Sequence, residues 1–517
     1  MEEKFLLGID NGTTTTKATI FTPDGDEVAS ASSKEVKTIH PEPGWAEQNM
    51  DEIWQAMVSA IRSVLDKSGI DAEKIAGVSL SGHGGGVWLL DKDGRPVRDA
   101  IIWLDGRAKS YIDQWGEEGL LPKIYDVCGW NLFAGIGPLT IFPWLKDHEP
   151  ENLERAVVNL TSKDWTKYCL TGEWSTDPSM ASVGLLDFTT LEYSRELMAM
   201  VGIEDQMHLF PKIVPAWQIA GYVTEKAAQE TGLKAGTPVS SGAFDGCCSA
   251  LGAGAFQPGD ATCNIATAGV HSVLSVESSL DPERVYSQMC YCTPGTYYKT
   301  SMAQVAAGNL DWVEREFCAS ERQQAQEEGG SVYDVINAEI KGVPIGSGGV
   351  IYLPFLQGER APFVKPEARA VFFGLGDWHT RANLLRAVYE GVAMSTRHNV
   401  DAMIKSGKLS NAILSGGGSK SEVWCQIIAD CLGSKVRVPA GSDSGSRGAA
   451  INAGVATGVF KDYEEGVNRM VHVAREYSCD PGRSTQYDQI YAVYKQLIQA
   501  VLPIWEASSK AGIEQFQ

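Results

Sequence analysis

Two stretches of the chain share one plan, in which a strand candidate leads through a turn of small and hydroxyl residues into a second strand candidate. The first has strand candidates at residues 4–9 and 18–21 around the turn DNGTTTTK at residues 10–17. The second runs over residues 261–275, with the turn ATAG at residues 266–269. Such runs predict β-hairpins, because glycine and asparagine favour tight turns between apolar and β-branched strands. Their recurrence predicts an internal duplication.

Helical patterns alternate with further strand candidates. Between residues 53 and 65 apolar residues recur at helical spacing, and Asp51 is predicted to cap that helix. Residues 75–80 form the next strand candidate. Thr380 is predicted to begin another long helix, which stops at Gly407. This alternation favours layered α/β domains, and a length of 517 residues predicts more than one of them.

Composition excludes several classes of partner. The 65 acidic residues outnumber the 44 Lys and Arg, the net charge is −21, and no basic run suggests a nucleic-acid face. No stretch of 18 apolar residues and no signal peptide at MEEKFLLGID are present, so neither a membrane partner nor secretion is expected. Eleven scattered cysteines without a CxxC pair fit reduced thiols in a cytoplasmic protein, and a zinc site is not expected.

The first turn offers groups that suit phosphate. An acidic chain that binds an anion such as ATP must use backbone amides, helix N-termini or a metal ion. Asp10 can hold Mg²⁺, which prefers oxygen ligands, and Lys17 can approach the phosphates. Amides and hydroxyls are supplied by Gly12, Thr13, Thr14 and Thr15, and a second such turn lies at Thr267 and Gly269. The alternative is an ordinary hairpin in which aspartate shapes the turn.

A third glycine cluster, SGGGSK at residues 415–420, lies between a strand candidate and a helix candidate at residues 421–432. Consecutive glycines let a ligand approach the backbone closely, although a tight strand-to-helix turn explains them equally well. Neither GxxxxGK[ST] nor GxGxxG occurs, so a Walker ATPase and a Rossmann dehydrogenase are not supported.

Four further residues can take part in chemistry. Asp245 follows a strand candidate and precedes a helix candidate, where a carboxylate can accept a hydroxyl proton or simply cap the helix. His83 lies in a glycine-rich loop, where a histidine taken alone is more often structural than functional. Asp105 and Arg107 can read the hydroxyls of a polyol, and the alternative is a surface ion pair.

Five segments together resemble the FGGY family of carbohydrate kinases. They are GIDNGTTTTKA at 8–18, SLSGHGGGVWLLD at 79–91, AIIWLDGRA at 100–108, SGAFDGCCSALGAG at 241–254 and LSGGGSKSEVWCQIIADCLGSKV at 414–436. The resemblance extends from about residue 4 to residue 500. It implies an α/β fold of two actin-like (ribonuclease H-like) domains with ATP in the cleft between them, a sugar-binding domain at 1–254 and an ATP-binding domain at 255–517.

The resemblance also implies roles for individual residues. Asp245 matches the general base, and Asp10 lies near Mg²⁺. The sugar or polyol side comprises His83, Gly84, Gly85, Trp103, Asp105 and Asp245. The nucleotide side comprises Gly12, Thr13, Thr14, Thr15, Lys17, Thr267, Gly269, Gly416, Gly417, Ser419 and Lys420. ATP and Mg²⁺ are therefore the expected cofactors, and a homodimer is the expected assembly.

The substrate is less tightly specified. Many xylulokinases carry Gln-Met-His-Gly where this chain has HGGG at residues 83–86, and the glycines are expected to leave room beside the acceptor. The Arg-Glu pair of glycerol kinases is absent. Residues 43–47, 118–126 and 144–150 resemble L-xylulose kinases, whereas residues 102–105 resemble erythritol kinases. We expect a pentulose such as L-xylulose or xylulose, with a tetritol as the alternative. An ATP-switched scaffold of the actin or chaperone kind is the alternative from another class.

Overall fold

The computed structural model describes residues 4–404, 408–441 and 443–512. Its strands, in chain order, are β1 Phe5–Asn11, β2 Thr16–Phe21, β3 Glu27–Ser32, β4 Glu47–Gln48, β5 Ile75–Gly82, β6 Trp88–Leu90, β7 Ala100–Ile101, β8 Val158–Leu160, β9 Ser175–Thr176, β10 Leu186–Asp187, β11 Glu192–Tyr193, β12 Lys212–Ile213, β13 Ile219–Tyr222, β14 Pro238–Ser240, β15 Ala243–Phe244, β16 Asp260–Ile265, β17 Gly269–Ser275, β18 Ser287–Cys290, β19 Tyr297–Ala303, β20 Ile351–Leu353, β21 Val371–Phe373, β22 Asn411–Ser415, β23 Lys435–Pro439 and β24 Val473–Tyr477.

The α-helices are α1 Met50–Ser68, α2 Lys109–Glu117, α3 Leu120–Cys128, α4 Pro138–His148, α5 Pro150–Arg155, α6 Ser162–Thr171, α7 Pro178–Ala181, α8 Arg195–Met200, α9 Glu225–Thr231, α10 Asp245–Ala253, α11 Gly308–Phe317, α12 Ala319–Glu328, α13 Val332–Ile340, α14 Arg381–Met403, α15 Glu422–Leu432, α16 Ser444–Ala456, α17 Tyr463–Met470 and α18 Pro481–Lys510. Short 3₁₀ helices lie at Ala72–Lys74, Glu204–Leu209, Ser347–Gly349 and Gly417–Lys420.

Two mixed sheets repeat the same topology. The first has the order β3-β2-β1-β5-β14-β13, and the second contains the order β19-β17-β16-β22-β23-β24. In both, the first three strands pair antiparallel, the next two join in parallel, and the last returns antiparallel. The two sheets therefore share the same strand order and the same strand directions. This is the internal duplication that the two hairpins predict. Strands β15 and β18 extend the two sheets.

Local predictions hold except at one helix end, and one other predicted end is not tested. Both predicted hairpins form, as β1–β2 and β16–β17. Helix α1 is capped by Asn49, whose side chain accepts from the Glu52 amide, so the prediction of Asp51 as the cap is wrong. Asp51 lies in the first turn, where a carboxylate favours the positive end of the helix dipole. Thr380 forms a capping box at the start of α14, and Gly407 lies outside the described residues.

Helix α16 belongs to the second half of the sequence but packs against elements of the first half. It follows β23 in the chain, yet its first turn packs on β1 so closely that a Cβ at Gly8 would lie 1.8 Å from the Ser446 carbonyl oxygen. It also crosses α10 at Gly252 and Gly448, where a Cβ would lie 1.9 Å from the backbone oxygens of Ser444 and Cys248 respectively. The predicted division at residues 1–254 and 255–517 therefore has α16 packed against elements of the first half. No helix in the described ranges is long and apolar enough to span a membrane.

Candidate active site

Three parallel strands bring the predicted chemistry to one edge of the first sheet. Asp10 of β1 is in register with Ser81 of β5, and Ser81 is in register with Ala243 of β15. The Ser81 hydroxyl donates to Asp10 Oδ1 at 2.8 Å. Since β15 ends one residue before Asp245, both predicted acids lie at the carboxyl ends of neighbouring strands, which is where ligands bind in sheets of this kind.

The environment raises the pKa of both acids. Burial raises the pKa of Asp245 to about 7, and the charge of Asp10 adds to this effect. Burial also raises the pKa of Asp10, although the bond from Ser81 opposes it. The Gly246 amide donates to Asp245 Oδ1 at 2.6 Å, and Asp245 is the first residue of α10, whose cap position is Phe244. Asp245 is therefore a carboxylate poised near neutral pH, as a general base requires.

The β1–β2 turn leaves amides open for an anion. Gly12 donates to the Thr15 carbonyl at 3.1 Å, whereas the amides of Thr13, Thr14 and Thr15 donate to no acceptor in the part of the chain that the structure describes. The turn is held from outside by Gln48, whose side chain donates to the Thr13 carbonyl at 2.7 Å. Open amides in a tight turn are the arrangement that binds phosphate oxygens.

Two predicted ligand contacts of this region already have protein partners. The Lys17 ammonium lies 3.1 Å from Asp443 Oδ2, a carboxylate oxygen that also accepts from Thr19. A role of Lys17 at the phosphates would require this pair to open. The Trp103 indole donates to Thr13 Oγ1 at 3.0 Å and stays partly exposed, so it connects the predicted sugar side with the phosphate turn.

The glycine loop at residues 83–86 is tightly packed. A Cβ at Gly84 would lie 2.6 Å from the Phe244 ring, and one at Gly85 would lie 2.8 Å from the Ile136 carbonyl oxygen. The expectation that these glycines leave room beside an acceptor is therefore wrong, because protein atoms fill that space. His83 is buried, and burial lowers its pKa to about 4, so its imidazole is neutral at physiological pH.

Asp105 lies in a buried ionic cluster. Its Oδ1 accepts from the amide and Nε of Arg107, both at 2.9 Å, and its Oδ2 accepts from Arg107 Nη2 at 2.9 Å and from the Ala46 amide at 2.6 Å. These four bonds use the acceptor positions of a carboxylate. The Arg107 guanidinium lies 4.1 Å above the Trp45 ring and also bonds Glu47. Hydroxyl recognition by Asp105 would require one of these bonds to open.

A buried cluster of two lysines and two aspartates supports the segment that leads to Asp245. Asp164 accepts from Lys163 at 2.6 Å and from Lys167 at 2.9 Å, and Asp177 lies 3.0 Å from Lys163. All four side chains are essentially inaccessible. Lys163 also donates to the Ser241 carbonyl at 3.2 Å.

The charges of this lysine–aspartate cluster balance. Burial raises the pKa of Asp164, but the two lysines outweigh it and lower that pKa to about 2. Burial lowers the pKa of Lys167 to about 8. From Asp177 the network continues through the Ser179 hydroxyl, which donates to Asp177 at 2.5 Å and accepts from the Phe244 amide at 2.9 Å. The cluster therefore holds both ends of the segment 241–244.

The second sheet carries a cavity of about 610 Å³. Of the predicted nucleotide residues, Thr267, Gly417 and Lys420 line it, and Gly416 and Ser419 adjoin them in the chain. A Cβ at Gly416 would lie 2.5 Å from Asn264 Oδ1, which explains the glycine there. Other lining residues that the sequence did not indicate are Ala307, Leu310, Tyr333, Asn337, Tyr389 and Trp424. The carboxylates Asp311 and Asp334 also line the cavity. Aromatic and apolar groups with a few polar ones suit a nucleoside.

The second hairpin turn repeats the features of the first. The amides of Thr267 and Ala268 donate to no acceptor over the described residues, whereas the Thr267 carbonyl accepts from Ala306 at 2.8 Å. No cluster of three or more metal-ligating side chains exists among the described residues. Asp10 therefore fits Mg²⁺ only in the manner usual for this ion, with one or two carboxylates and the remaining ligands from phosphate and water.

Several functional neighbours carried no signal in the sequence. Ser179 and the lysines of the buried cluster lie far from the motifs along the chain and reach the site only through the fold. Asp443 follows the last motif closely in the chain, but its pairing with Lys17 depends on the fold. Tyr298 of β19 is another, since its hydroxyl lies 3.4 Å from the Cβ position of Gly246. The strand-to-turn pattern does indicate the motifs themselves, because turn chemistry is local.

Duplicated α/β domains, each with a hairpin turn of open amides, together with a nucleoside-sized cavity, define a phosphotransferase of the actin-like architecture. The models of the FGGY family of carbohydrate kinases match this chain, the N-terminal domain over residues 5–252 and the C-terminal domain over residues 262–457. The chain belongs to the FGGY family of carbohydrate kinases. The resemblance, the two-domain α/β fold and the enzyme class predicted from the sequence are confirmed.

Relatives match nearly the whole length of the chain. The L-xylulose/3-keto-L-gulonate kinase of Escherichia coli (strain K12) is 31% identical over 500 residues, which are 96% of this chain and 97% of the relative. The erythritol kinase of Brucella abortus (strain 2308) is 30% identical over 524 residues, 98% of each. The crystal structure of xylulose kinase from Rhodospirillum rubrum has a TM-score of 0.84 at 28% identity, with 97% of this chain and all of that chain covered. This chain is a carbohydrate kinase, and kinases of the family use ATP.

Proposed function

We propose that the protein transfers the γ-phosphoryl group of MgATP to a hydroxyl of a pentulose, such as L-xylulose or xylulose, with Asp245 as the general base. The observation that carries this proposal is the pair Asp10 and Asp245 at the carboxyl edge of one sheet, where burial raises the pKa of Asp245 to about 7. The choice of pentulose rests on the relatives, among which L-xylulose and xylulose kinases are frequent.

In this proposal each group of residues has one task. The open amides of Thr13, Thr14 and Thr15 bind phosphate oxygens, and those of Thr267 and Ala268 bind from the second domain. Asp10 would hold Mg²⁺, which supplies charge neutralisation on the phosphates when bound. Asp245 accepts the proton of the attacking hydroxyl. The cavity beside Trp424 holds the adenosine.

Positioning accounts for most of the expected rate. Phosphoryl transfer requires little covalent work from the protein beyond alignment, charge stabilisation and a base. The lysine–aspartate cluster behind residues 241–244 fixes the strand end from which Asp245 projects. The Trp103–Thr13 bond links the sugar loop to the phosphate turn, so sugar binding and phosphate alignment are coupled.

The substrate is tested with a panel of pentuloses and tetritols in a coupled assay of ADP release, with Asp245→Asn as the matched variant. We expect ADP release that depends on a pentulose, and a loss of about 10²–10⁴-fold in Asp245→Asn with MgATP binding retained. Release that is fastest with a tetritol would assign the protein to polyols, for which the erythritol kinase relative is the precedent. ADP release without any sugar would support a nucleotide-switched scaffold instead.

A further inference from the structure

One exposed arginine lies beside the second hairpin turn. Arg360 follows the buried Glu359, whose Oε1 accepts from the amides of Gln304 and Arg360, both at 2.8 Å. Gln304 directly follows β19, whose last residue, Ala303, pairs with Gly269. The loop that carries Arg360 is thereby fixed next to the residues that lead into the turn.

A second anchor holds the same loop from behind. Asn399 of α14 donates to the Ala361 carbonyl at 3.2 Å and accepts from the Ser301 hydroxyl of β19 at 3.0 Å. Two bonded anchors on either side of Arg360 set its backbone relative to β19. The guanidinium itself is exposed and reaches the Met302 sulfur at 3.8 Å.

The orientation of the Met302 side chain shows on which face of the second sheet the Arg360 guanidinium lies. That face is the one toward Asp245. Side chains alternate between the two faces of a strand, so Met302 shares a face with Tyr298, whereas Ser301 faces α14. The Tyr298 hydroxyl lies 3.4 Å from the Cβ position of Gly246, next to Asp245. Arg360 therefore lies on the sheet face that contacts the start of α10.

The charge of Arg360 and of the chain around it bears on which ligand this arginine can bind. The chain carries a net charge of −21, and the predicted phosphate ligand Lys17 is already paired with Asp443. Among the described residues Arg360 forms no salt bridge, and its electrostatic interaction is with the adjacent, buried Glu359. An exposed guanidinium that forms no salt bridge, next to a turn of open amides, is suited to phosphate, which it can bind through two parallel N–H groups.

We infer that Arg360 binds the γ-phosphoryl group of the nucleotide and follows it during transfer. The inference rests on the proposed function. In that step the acceptor oxygen bonds to the γ-phosphorus, the bond from phosphorus to the β–γ bridging oxygen breaks, the hydroxyl proton passes to Asp245, and ADP leaves with the bridging oxygen. Arg360 neutralises charge on the transferred group and exchanges no proton.

The test measures the affinity of the full-length protein for MgADP and for Mg-AMP-PNP by calorimetry, in the wild type, Arg360→Ala and Arg360→Lys. We expect Arg360→Ala to bind MgADP within twofold of the wild type and to lose roughly 10- to 100-fold on Mg-AMP-PNP, the range for a charge-assisted bond. Arg360→Lys keeps a point charge without the two-pronged geometry and should fall between them. The control is Arg437→Ala on β23, which pairs with Glu476 at the surface and should change neither affinity.

The other possible results of the binding experiment would contradict either the inference about Arg360 or the proposed function. Equal losses on both nucleotides would show that Arg360 only supports the fold of its loop, and no loss on Mg-AMP-PNP would show that it does not contact the γ-phosphoryl group. Either result overturns the inference while leaving the proposed function intact. A wild type that binds neither nucleotide would overturn the proposed function itself. No sugar is needed, so an unidentified acceptor does not affect the result.

Discussion

The Cβ position of Gly445 lies 2.6 Å from Asp10 Oδ2. Gly445 belongs to the first turn of α16, so the start of this helix touches the carboxylate that would hold Mg²⁺. The positive end of a helix dipole favours a carboxylate at this place. A residue from the second half of the chain thereby fixes a functional group of the first sheet.

We expect Gly445→Ala to displace the Asp10 carboxylate, because the added methyl group overlaps it. Such overpacking typically costs about 1–3 kcal/mol of stability. The specific effect should be a higher Mg²⁺ concentration for half-maximal activity, measured by Mg²⁺ titration at saturating ATP. Gly342→Ala is the control, since a Cβ there meets no atom within 4 Å. An unchanged Mg²⁺ dependence in Gly445→Ala would contradict the assignment of Asp10.

We expect ionisation of the Asp245 carboxyl to lower the free energy of unfolding of the protein. Its pKa is about 7 in the folded state against 3.8 unperturbed, so the folded state binds the proton more tightly than the unfolded state. Stability therefore falls as pH rises from the unfolded pKa toward 7. We expect Asp245→Asn to melt at a higher temperature than the wild type at pH 8, with the difference shrinking as pH falls below 7. Thermal melting over pH 5–8 measures this, and a pH-independent difference would count against the raised pKa.

Asp105→Ala leaves the Arg107 guanidinium, which is inaccessible to solvent, with Glu47 as its remaining partner. Removal of one partner from a buried pair costs about 3–5 kcal/mol, so the melting temperature should fall. The loop that carries Trp103 should loosen, and KM for the sugar should rise more than KM for ATP. Asp113→Ala, which breaks the exposed pair with Lys109, is the control for lost charge. Equal rises in both KM values would restrict Asp105 to a role in domain architecture.

Lys163→Met tests the lysine–aspartate cluster. Asp164 and Asp177 lose one of their cations in a site without solvent, so a loss of about 3–5 kcal/mol is expected. The segment 241–244 also loses a bond to the Ser241 carbonyl, and kcat should fall more than the affinity for MgATP. Lys109→Met, in an exposed pair, should cost at most about 1 kcal/mol. A variant with lower stability and an unchanged kcat would separate the cluster from catalysis.

Motifs built from neighbouring residues were readable in the sequence. The two hairpins, the strand ends at Asp10 and Asp245 and the cap at Thr380 follow from turn and capping chemistry, which acts over a few residues. The cap of α1 was misassigned by two positions, because Asn49 and Asp51 both suit a helix start and packing selects between them. The resemblance to the FGGY family came from the order of five such local motifs.

Only the tertiary structure decided which groups are free to act. The sequence predicts Lys17 as a phosphate ligand, yet Asp443 pairs with it. For Asp105 the sequence leaves hydroxyl recognition and a surface ion pair with Arg107 both open, and the structure shows the ion pair, buried rather than at the surface. The sequence also does not indicate that Phe244 occupies the space beside Gly84 or that the Ile136 backbone occupies the space beside Gly85. Arg360 belongs to no motif, and its importance follows from the side chain of β19, Met302, that it contacts in the folded chain. A local pattern determines turns and strand ends, whereas burial and pKa depend on all the residues that folding packs around a group, such as Asp443 beside Lys17, from the other end of the chain.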